Sequence, residues 1–204
     1  MLSKPIFITG IGTGIGKTIV SAILVEKLKA DYWKPVQSGD LDNSDTDKVQ
    51  SLVTNKTSFF HPEAYRLSQP FSPHKSAAID GIAVDPKKII TPLTNNTLII
   101  EGAGGLMVPL NKQFLMIDLI RQLDAEVILV SQNYLGSINH TLLSVYALKK
   151  EQILVKGIIF NGVKDISSEE FILEHSGLTL LGHIPEYNVI DKKTIVDAGK
   201  YITL

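Results

Sequence analysis

Short apolar runs alternate with longer amphipathic segments along most of this chain. The runs are typical of strands buried on both faces, and the longer segments carry apolar residues at helical spacing. Strands are predicted at residues 6–9, 31–34 (stopped by Pro35 and the polar turn after it), 97–101, 127–131, 155–161 and 178–184. Helices are predicted at residues 19–30, 48–53, 115–123, 142–148, 167–175 and 192–199. Because strands and helices alternate, the pattern predicts an α/β fold in which helices flank both faces of a parallel sheet.

The stretch from residue 59 to residue 96 departs from this alternation. It holds five of the nine prolines and few periodic signals. We expect loops here, with short helices near 74–80 and 85–91, inserted between two strands of the sheet.

Length and composition narrow the class of protein. A chain of 204 residues can bury a sizeable core, and we expect a single domain over residues 1–204 because no repeat or linker divides it. A net charge of −1 and the absence of cysteine argue against a basic nucleic-acid surface, disulfides and thiolate metal sites. No apolar run approaches a membrane span, and the first strand begins too early to follow a signal peptide. We therefore expect a cytoplasmic protein without a nucleic-acid or membrane partner.

A glycine-rich loop joins the first predicted strand to the first helix. Its sequence is Gly10-Ile-Gly-Thr-Gly-Ile-Gly16-Lys-Thr18. In such a loop the backbone N–H groups and the helix N-terminus surround phosphate oxygens, the lysine reaches the β- and γ-phosphates, and the threonine hydroxyl binds Mg²⁺. The loop is one residue longer than the common Gly-x4-Gly-Lys-Thr form, and it lacks the spacing of a dinucleotide-binding loop. We predict a nucleoside-triphosphate site here, with a ligand-free glycine turn as the alternative.

Polar side chains stand where two other strands are predicted to end. Lys34 and Ser38 lie at the end of the second strand, and Glu101 ends the third just before a glycine-rich stretch at 102–105. Ligands of open α/β sheets bind outside these strand ends. In phosphate-loop enzymes an acid at such a position holds Mg²⁺, so Glu101 is a candidate metal ligand.

The acidic turn at residues 41–47 offers a second candidate ligand. Asp45 or Asp47 could bind Mg²⁺ if this turn folds back toward the glycine loop. The alternative is that Asn43 or Ser44 caps the following helix and that the two acids favour its first turn.

Two later positions could contact a ligand. Gly136 and Ser137 open a helix whose N–H groups could receive a carboxylate, although Ser137 or Asn139 could equally cap that helix. Asn161 ends the fifth strand, and its amide can pair with a purine edge. The Asn-Lys-x-Asp sequence of guanine-specific switch proteins is absent at this position.

Several sequence blocks, in order and at their spacing, closely resemble the dethiobiotin synthetase family over essentially the full length of the chain. The blocks are Gly10-x5-Gly16-Lys-Thr18, Lys34-Pro-Val-Gln-Ser-Gly39, Asn43-Ser-Asp45, Ser72-Pro-His74, Glu101-Gly-Ala-Gly-Gly105, Leu135-Gly-Ser-Ile-Asn-His140 and Gly182-His-Ile-Pro185.

This resemblance implies a phosphate-loop NTPase fold and an ATP-dependent ring closure. In the family, 7,8-diaminopelargonic acid, CO₂ or bicarbonate, and MgATP give dethiobiotin, ADP and phosphate. One amine captures CO₂ as a carbamate, the carbamate attacks the γ-phosphate to form a carbamic-phosphoric anhydride, and the second amine displaces phosphate. This chemistry depends mainly on positioned charge.

The resemblance also implies roles for particular residues. Lys17 and Thr13 would act on the phosphoryl and carbamate groups, while Lys34 would neutralise the carbamate beside Ser38. Mg²⁺ would be held by Thr18, Asp45 and Glu101. The nucleotide would contact Gly12, Thr13, Gly14, Ile15, Gly16, Lys17, Thr18, Asn161 and Pro185. The substrate carboxylate would bind near Gly136, Ser137 and Asn139 across a homodimer interface.

This chain departs from the family pattern at Gly14. Some family members carry an acid where this chain has Gly14, so any role of that acid is absent here.

A dimeric switch ATPase that positions macromolecules would have an additional lysine early in the loop, where this chain has Ile11 and Gly12. A small-molecule kinase could use Lys34 equally well, and only its product would distinguish it from a ligase.

Overall fold

The computed structural model describes residues 4–204 and contains nine strands and seven α-helices within that range. The strands are β1 (Ile6–Gly10), β2 (Asp31–Trp33), β3 (Val36–Ser38), β4 (Phe60–His61), β5 (Tyr65–Leu67), β6 (Leu98–Gly105), β7 (Glu126–Ser131), β8 (Val155–Asn161) and β9 (Leu180–Ile184). The helices are α1 (Lys17–Leu28), α2 (Asp45–Leu52), α3 (Pro73–Ile79), α4 (Met116–Gln122), α5 (Ser137–Lys150), α6 (Ile166–Ser176) and α7 (Lys192–Ala198).

Seven of these strands form one parallel sheet in the order β4-β2-β6-β1-β7-β8-β9. Strand β1 lies at the centre, between β6 and β7, and the chain leaves it first toward one edge and later toward the other. The carboxyl ends of β1, β2 and β6 therefore meet at a single crevice, which is where open α/β sheets bind ligands. The predicted α/β fold with a parallel sheet is confirmed.

Helices cover both faces of this sheet. On one face α1, α2 and α7 pack against residues that include Ile6 and Ile8, and on the other α3, α4 and α5 pack against residues that include Phe7. A smaller cluster under α5 and α6 contains Phe160. Because strand side chains alternate between faces, each central strand contributes to both cores, which explains its continuous apolar sequence.

The second predicted strand ends before Pro35 as expected, but a further short strand, which was not predicted, follows in place of the polar turn. β2 belongs to the large sheet, whereas β3 pairs with β5 in a separate two-stranded parallel sheet. Pro35 lies at the break, and because it has no N–H to donate it cannot continue the ladder on that side. Lys34 lies directly before it and is buried, so this break places a lysine at the mouth of the crevice.

The prediction for residues 59–96 is partly wrong. The predicted helix near 74–80 is confirmed as α3, but the second forms only a short 3₁₀ turn at Pro86–Lys88. The strands β4 and β5 were not expected, because they are only two and three residues long and carry no periodic pattern. None of the helices in the described part of the chain is both long and apolar enough to cross a membrane.

Candidate active site

The glycine-rich loop turns between β1 and α1 through two glycines in left-handed conformations. Gly14 has φ +75° and Gly16 has φ +91°. A Cβ at Gly16 would lie 2.2 Å from Nδ2 of Asn161, which donates a hydrogen bond to the carbonyl oxygen of Ile15 at 3.0 Å. Gly16 is therefore required for both its conformation and its space, and Asn161 holds the loop in place. The prediction for Asn161 concerned a purine base and did not anticipate this contact.

Lys17 is buried at the start of α1, with its Nζ 2.8 Å from the carbonyl oxygen of Gly12, to which it donates. The pKa of Lys17 is lowered from its ordinary value of 10.5 to about 8, mainly by burial and to a smaller extent by the nearby Lys34. Glu101 and Asp45 act in the opposite direction but only partly offset these effects. The ammonium is thus held close to the loop in a position where an additional negative charge would stabilise it.

Lys34 directly follows β2 and lies between the carboxylates of Asp45, at the start of α2, and Glu101. The prediction that the third strand ends at Glu101 is wrong, because β6 continues through the glycines to Gly105. The Nζ of Lys34 is 2.5 Å from Oδ2 of Asp45 and 3.2 Å from Oε1 of Glu101. Lys34 is 5% exposed and Glu101 is 1% exposed, so water screens these attractions little. Burial by itself would lower the pKa of Lys34, but the two carboxylates outweigh it and raise the pKa above its ordinary value.

Thr18 joins this cluster from the first turn of α1. Its hydroxyl donates to Oε1 of Glu101 at 2.8 Å, the same oxygen that contacts Lys34. The pKa of Asp45 is lowered, because although burial opposes ionisation, the attraction of Lys34 and the hydrogen bond from it prevail. Asp45 and Glu101 thus meet at the Lys34 ammonium, and Thr18 contacts the same oxygen of Glu101. The assignment of these three residues to Mg²⁺ stays a prediction.

The structure also separates the roles of the two neighbouring acids. Ser44 is the N-cap of α2, and its hydroxyl accepts a hydrogen bond from the backbone N–H of Asp47 at 3.2 Å. The carboxylate of Asp47 accepts in return from the N–H of Ser44 at 2.9 Å, which completes a capping box. The Asp47 carboxylate therefore caps the start of α2, whereas the Asp45 carboxylate contacts the Lys34 ammonium.

Two residues of this cluster were not singled out in the sequence. The Tyr32 hydroxyl donates to Oε2 of Glu101 at 2.9 Å, and the Gln37 side-chain oxygen accepts from the backbone N–H of Asp45 at 3.3 Å. Burial raises the pKa of Tyr32 well above its ordinary value of 10.0, and the charge of Glu101 raises it further, so the phenol is a neutral donor. Both residues lie in the three-residue strands on either side of Lys34. Strands this short show no periodic pattern, so the sequence did not indicate that their polar groups contribute to a site.

A cleft of about 760 Å³ opens over these groups. Thr13 and Ser38 line it, and the hydroxyl of Ser38 is buried with no hydrogen-bond partner among the described residues. A buried hydroxyl without a partner is costly unless a ligand satisfies it. Thr13 and Val108 also border an adjoining apolar groove of about 600 Å³, whose walls include Met107 and Leu143.

The start of α5 lies in a different place. Gly136, Ser137 and Asn139 line a cavity of about 760 Å³ that has no lining residue in common with the cleft. The N-cap of α5 is Gly136, with φ +102° and no side chain, so the interpretation of Ser137 or Asn139 as the cap is wrong. Within one chain, the structure does not bring these three residues together with Lys17 and Lys34.

Pro185 lies near a fourth cavity, of about 480 Å³, beyond the end of β8. Gly162, Lys164, His183 and Tyr201 contribute to its lining. Asn161 immediately precedes Gly162, so this cavity lies beside the residue that holds the glycine loop.

Comparisons with known proteins agree with this architecture. A family model described as an AAA domain matches residues 4–194. The chain is 53% identical over 194 residues to the ATP-dependent dethiobiotin synthetase BioD of Christiangramia forsetii, covering 95% of this chain and 93% of that protein. It is 51% identical over 193 residues to the protein of the same name from Cytophaga hutchinsonii, covering 94% of this chain and 93% of the relative.

Among solved structures, the septum site-determining protein MinD complexed with Mg-ADP from Pyrococcus horikoshii superimposes with a TM-score of 0.61. The sequences are 19% identical, and the match covers 96% of this chain and 86% of that one. At this identity the likeness establishes the fold alone.

The lowered pKa of Lys17 predicts how stability depends on pH. The unfolded chain keeps this proton up to pH 10.5, whereas the folded protein loses it near pH 8. Between these values the unfolded state binds more protons, so the free energy of unfolding should rise with pH by this contribution. Below pH 8 the full penalty is present, and Lys17→Met should be more stable than the wild type there. Urea unfolding from pH 7 to pH 10.5 would measure this, with the difference shrinking as pH rises.

The matched control is Lys87→Met, which removes an exposed lysine. Its stability should follow the wild type across the same range. A Lys17→Met variant whose stability ran parallel to the wild type at every pH would contradict the lowered pKa.

Proposed function

Because this chain belongs to the family of ATP-dependent dethiobiotin synthetases, we propose that its cleft closes the urea ring of dethiobiotin from 7,8-diaminopelargonate, CO₂ and ATP. The chain is a ligase-type enzyme of biotin biosynthesis. The observation that carries the site assignment is the Lys34 ammonium, held by two carboxylates beside a phosphate-binding loop. The predicted cytoplasmic location and the single ligase domain over residues 1–204 stay predictions.

The reaction has three steps in which bonds and protons balance. One substrate amine attacks CO₂, forming a C–N bond and losing a proton, to give a carbamate. A carbamate oxygen then attacks the γ-phosphorus as the bond to the ADP oxygen breaks. Finally the second amine attacks the carbonyl carbon, phosphate leaves with the electrons of the C–O bond, and this amine also loses a proton. Each step gathers negative charge, so fixed cations and N–H donors supply most of the catalysis.

Lys17 and the loop would hold the triphosphate. The positive φ values of Gly14 and Gly16 support this, because they turn the backbone as a phosphate nest requires. Lys17 now donates to the carbonyl oxygen of Gly12 and would donate to phosphate oxygens instead. Thr13, which lines both the cleft and the apolar groove, would lie between the phosphate and the carbamate.

Thr18, Asp45 and Glu101 would hold Mg²⁺, whose charge, when bound, would neutralise the β- and γ-phosphate oxygens. Their fit to a cation is supported by the Lys34 ammonium, which already occupies the space between the two acids. No group of three or more His, Asp or Glu side chains suited to a metal occurs in residues 4–204. Two carboxylates and one hydroxyl nonetheless suit Mg²⁺, which usually completes its shell with phosphate oxygens and water.

Lys34 and Ser38 would receive the carbamate. To reach it, Lys34 has to give up one of its two carboxylates, and a second cation on those oxygens would favour this release by competing for the same negative charge. The unpartnered hydroxyl of Ser38 supports its role as a hydrogen-bond donor to substrate. The adjoining groove lined by Met107 and Leu143 suits the aliphatic chain of the diamine.

The base and the substrate carboxylate would bind at the two remaining sites. Asn161 and Pro185 lie near the cavity beyond β8, which supports adenine there. In a homodimer, the carboxylate of a substrate bound in the partner subunit's cleft would contact Gly136, Ser137 and Asn139 of this chain. Support comes from the separation of these residues from the cleft of their own chain, and from exposed Tyr134 and Leu135 beside them.

A direct assay tests this reaction. The purified protein with MgATP, 7,8-diaminopelargonate and labelled bicarbonate should incorporate label into a cyclic urea and release ADP and phosphate together. Product analysis by chromatography and mass spectrometry would measure this. A stable phosphorylated acceptor would indicate a kinase instead, and ATP hydrolysis at a rate indifferent to the diamine would remove the ligase assignment.

Lys34→Met should lose turnover by a factor on the order of 10²–10³ while ATP still binds, because the carbamate loses its cation. The variant should also unfold more readily, by about 3–5 kcal/mol, because the buried carboxylate of Glu101 and the partly buried one of Asp45 lose the cation between them. Steady-state kinetics, nucleotide binding and urea unfolding would measure the three effects. Lys87→Met serves as the charge control, and near-normal turnover of Lys34→Met would remove Lys34 from the mechanism.

Mixing two variants tests the shared site. Asn139→Asp should lose turnover because the new carboxylate repels that of the substrate, and Lys34→Met should lose it for the reason above. If each site takes Lys34 from one subunit and Asn139 from the other, mixed dimers hold one intact site. Equal mixing should then restore about a quarter of wild-type turnover. If each site lies within one chain, mixing restores nothing.

A further inference from the structure

The carboxylate of Glu101 has two oxygens with different surroundings. Oε1 faces the cleft, where the hydroxyl of Thr18 lies 2.8 Å away and the ammonium of Lys34 lies 3.2 Å away. Oε2 accepts a hydrogen bond from the hydroxyl of Tyr32, a fully buried residue, at 2.9 Å. Among the residues that the structure describes, Tyr32 is the one donor to Oε2.

Tyr32 is held firmly enough to direct this carboxylate. It lies in β2 opposite Ile99 of β6, on the same sheet face as Glu101 two residues further along. Its side chain is fully buried, its backbone N–H donates to Phe59 at 2.9 Å, and its ring lies 6.2 Å from that of Phe60. The hydroxyl therefore meets Glu101 from a fixed direction.

We propose that Tyr32 is a positioning residue that turns Oε1 of Glu101 into the cleft for Mg²⁺. This inference rests on the proposed function, in which Glu101 is a metal ligand. A buried carboxylate oxygen without a donor is strongly disfavoured, so without the hydroxyl Oε2 has to find another partner. Lys34 and Thr18 are the other donors to this carboxylate, and a rotation that brings Oε2 to them would withdraw Oε1 from its position beside them. Hydrogen-bond partners of ligating groups generally tune metal affinity in this way.

Tyr32→Phe tests the proposal because it removes the hydroxyl and keeps the buried ring. The variant should bind ADP like the wild type in the presence of EDTA. The Mg²⁺ concentration at the midpoint of the Mg²⁺-dependent gain in ADP affinity should rise about 10- to 100-fold. Calorimetric titration of ADP at stepped Mg²⁺ concentrations measures this midpoint, and the Mg²⁺-dependent rise in melting temperature gives a second readout.

Tyr65→Phe is the matched control. Tyr65 lies in β5 and is partly buried, and its hydroxyl is hydrogen-bonded to the backbone of Asp85 but does not contact Glu101. It should keep the wild-type Mg²⁺ midpoint whatever its effect on stability. Glu101→Gln tests the premise, because it should abolish the Mg²⁺-dependent gain.

These variants test the positioning role of Tyr32 separately from the metal-ligand role of Glu101. If Glu101→Gln abolishes the gain while Tyr32→Phe keeps the wild-type midpoint, the role of Tyr32 is overturned and the metal site stands. If Tyr32→Phe lowers stability or ADP affinity equally with and without Mg²⁺, its role is structural, which also overturns the inference. If Glu101→Gln titrates like the wild type, the proposed metal ligand fails and the inference fails with it.

Discussion

The burial of one positive charge against two negative ones organises the site of this protein. The Lys34 ammonium lies between Asp45 and Glu101 with almost no exposure to water. A lone ion at that depth would cost several kcal/mol, so the three groups are stable only together. They come from β2, from the start of α2 and from β6, and their mutual attraction therefore fixes how these elements meet.

In the proposed reaction, the same arrangement would give the site two states. In the protein alone, the lysine satisfies both acids. A reaction that brings a carbamate and a metal-bound triphosphate into the cleft supplies a second anion and a second cation, and the charges can then be exchanged between partners. The site therefore needs no nucleophile of its own. The site contributes mainly by holding charged groups in place. In agreement, the chain has no cysteine, and few polar groups that line the cleft lack a hydrogen-bond partner among the described residues.

The fold places these groups through short, irregular pieces. β2 and β3 are three residues each, and the break at Pro35 between them aims Lys34 into the crevice. Ser44 and Asp47 fix the start of α2, so Asp45 projects from its first turn toward the lysine. On the other side of the loop, Asn161 lies so close to Gly16 that a Cβ at position 16 would clash with its amide. The long strands and helices thus form the scaffold, and the strand break, the helix start and the glycine loop form the site.

The sequence by itself determined the alternation of strands and helices, the glycine loop with Lys17 and Thr18, and the candidacy of Lys34 and Glu101. These follow from periodicity and from residues adjacent in the chain, which are local properties. Without the family resemblance, the residues did not distinguish Asp45 from Asp47 as a metal ligand. They also did not indicate a role for Tyr32 or the loop contact made by Asn161. Tyr32 and Glu101 stand 69 residues apart and meet because β2 and β6 are neighbours in the sheet. Only the tertiary structure decides strand order, because it depends on which whole faces can be buried together and not on any local pattern.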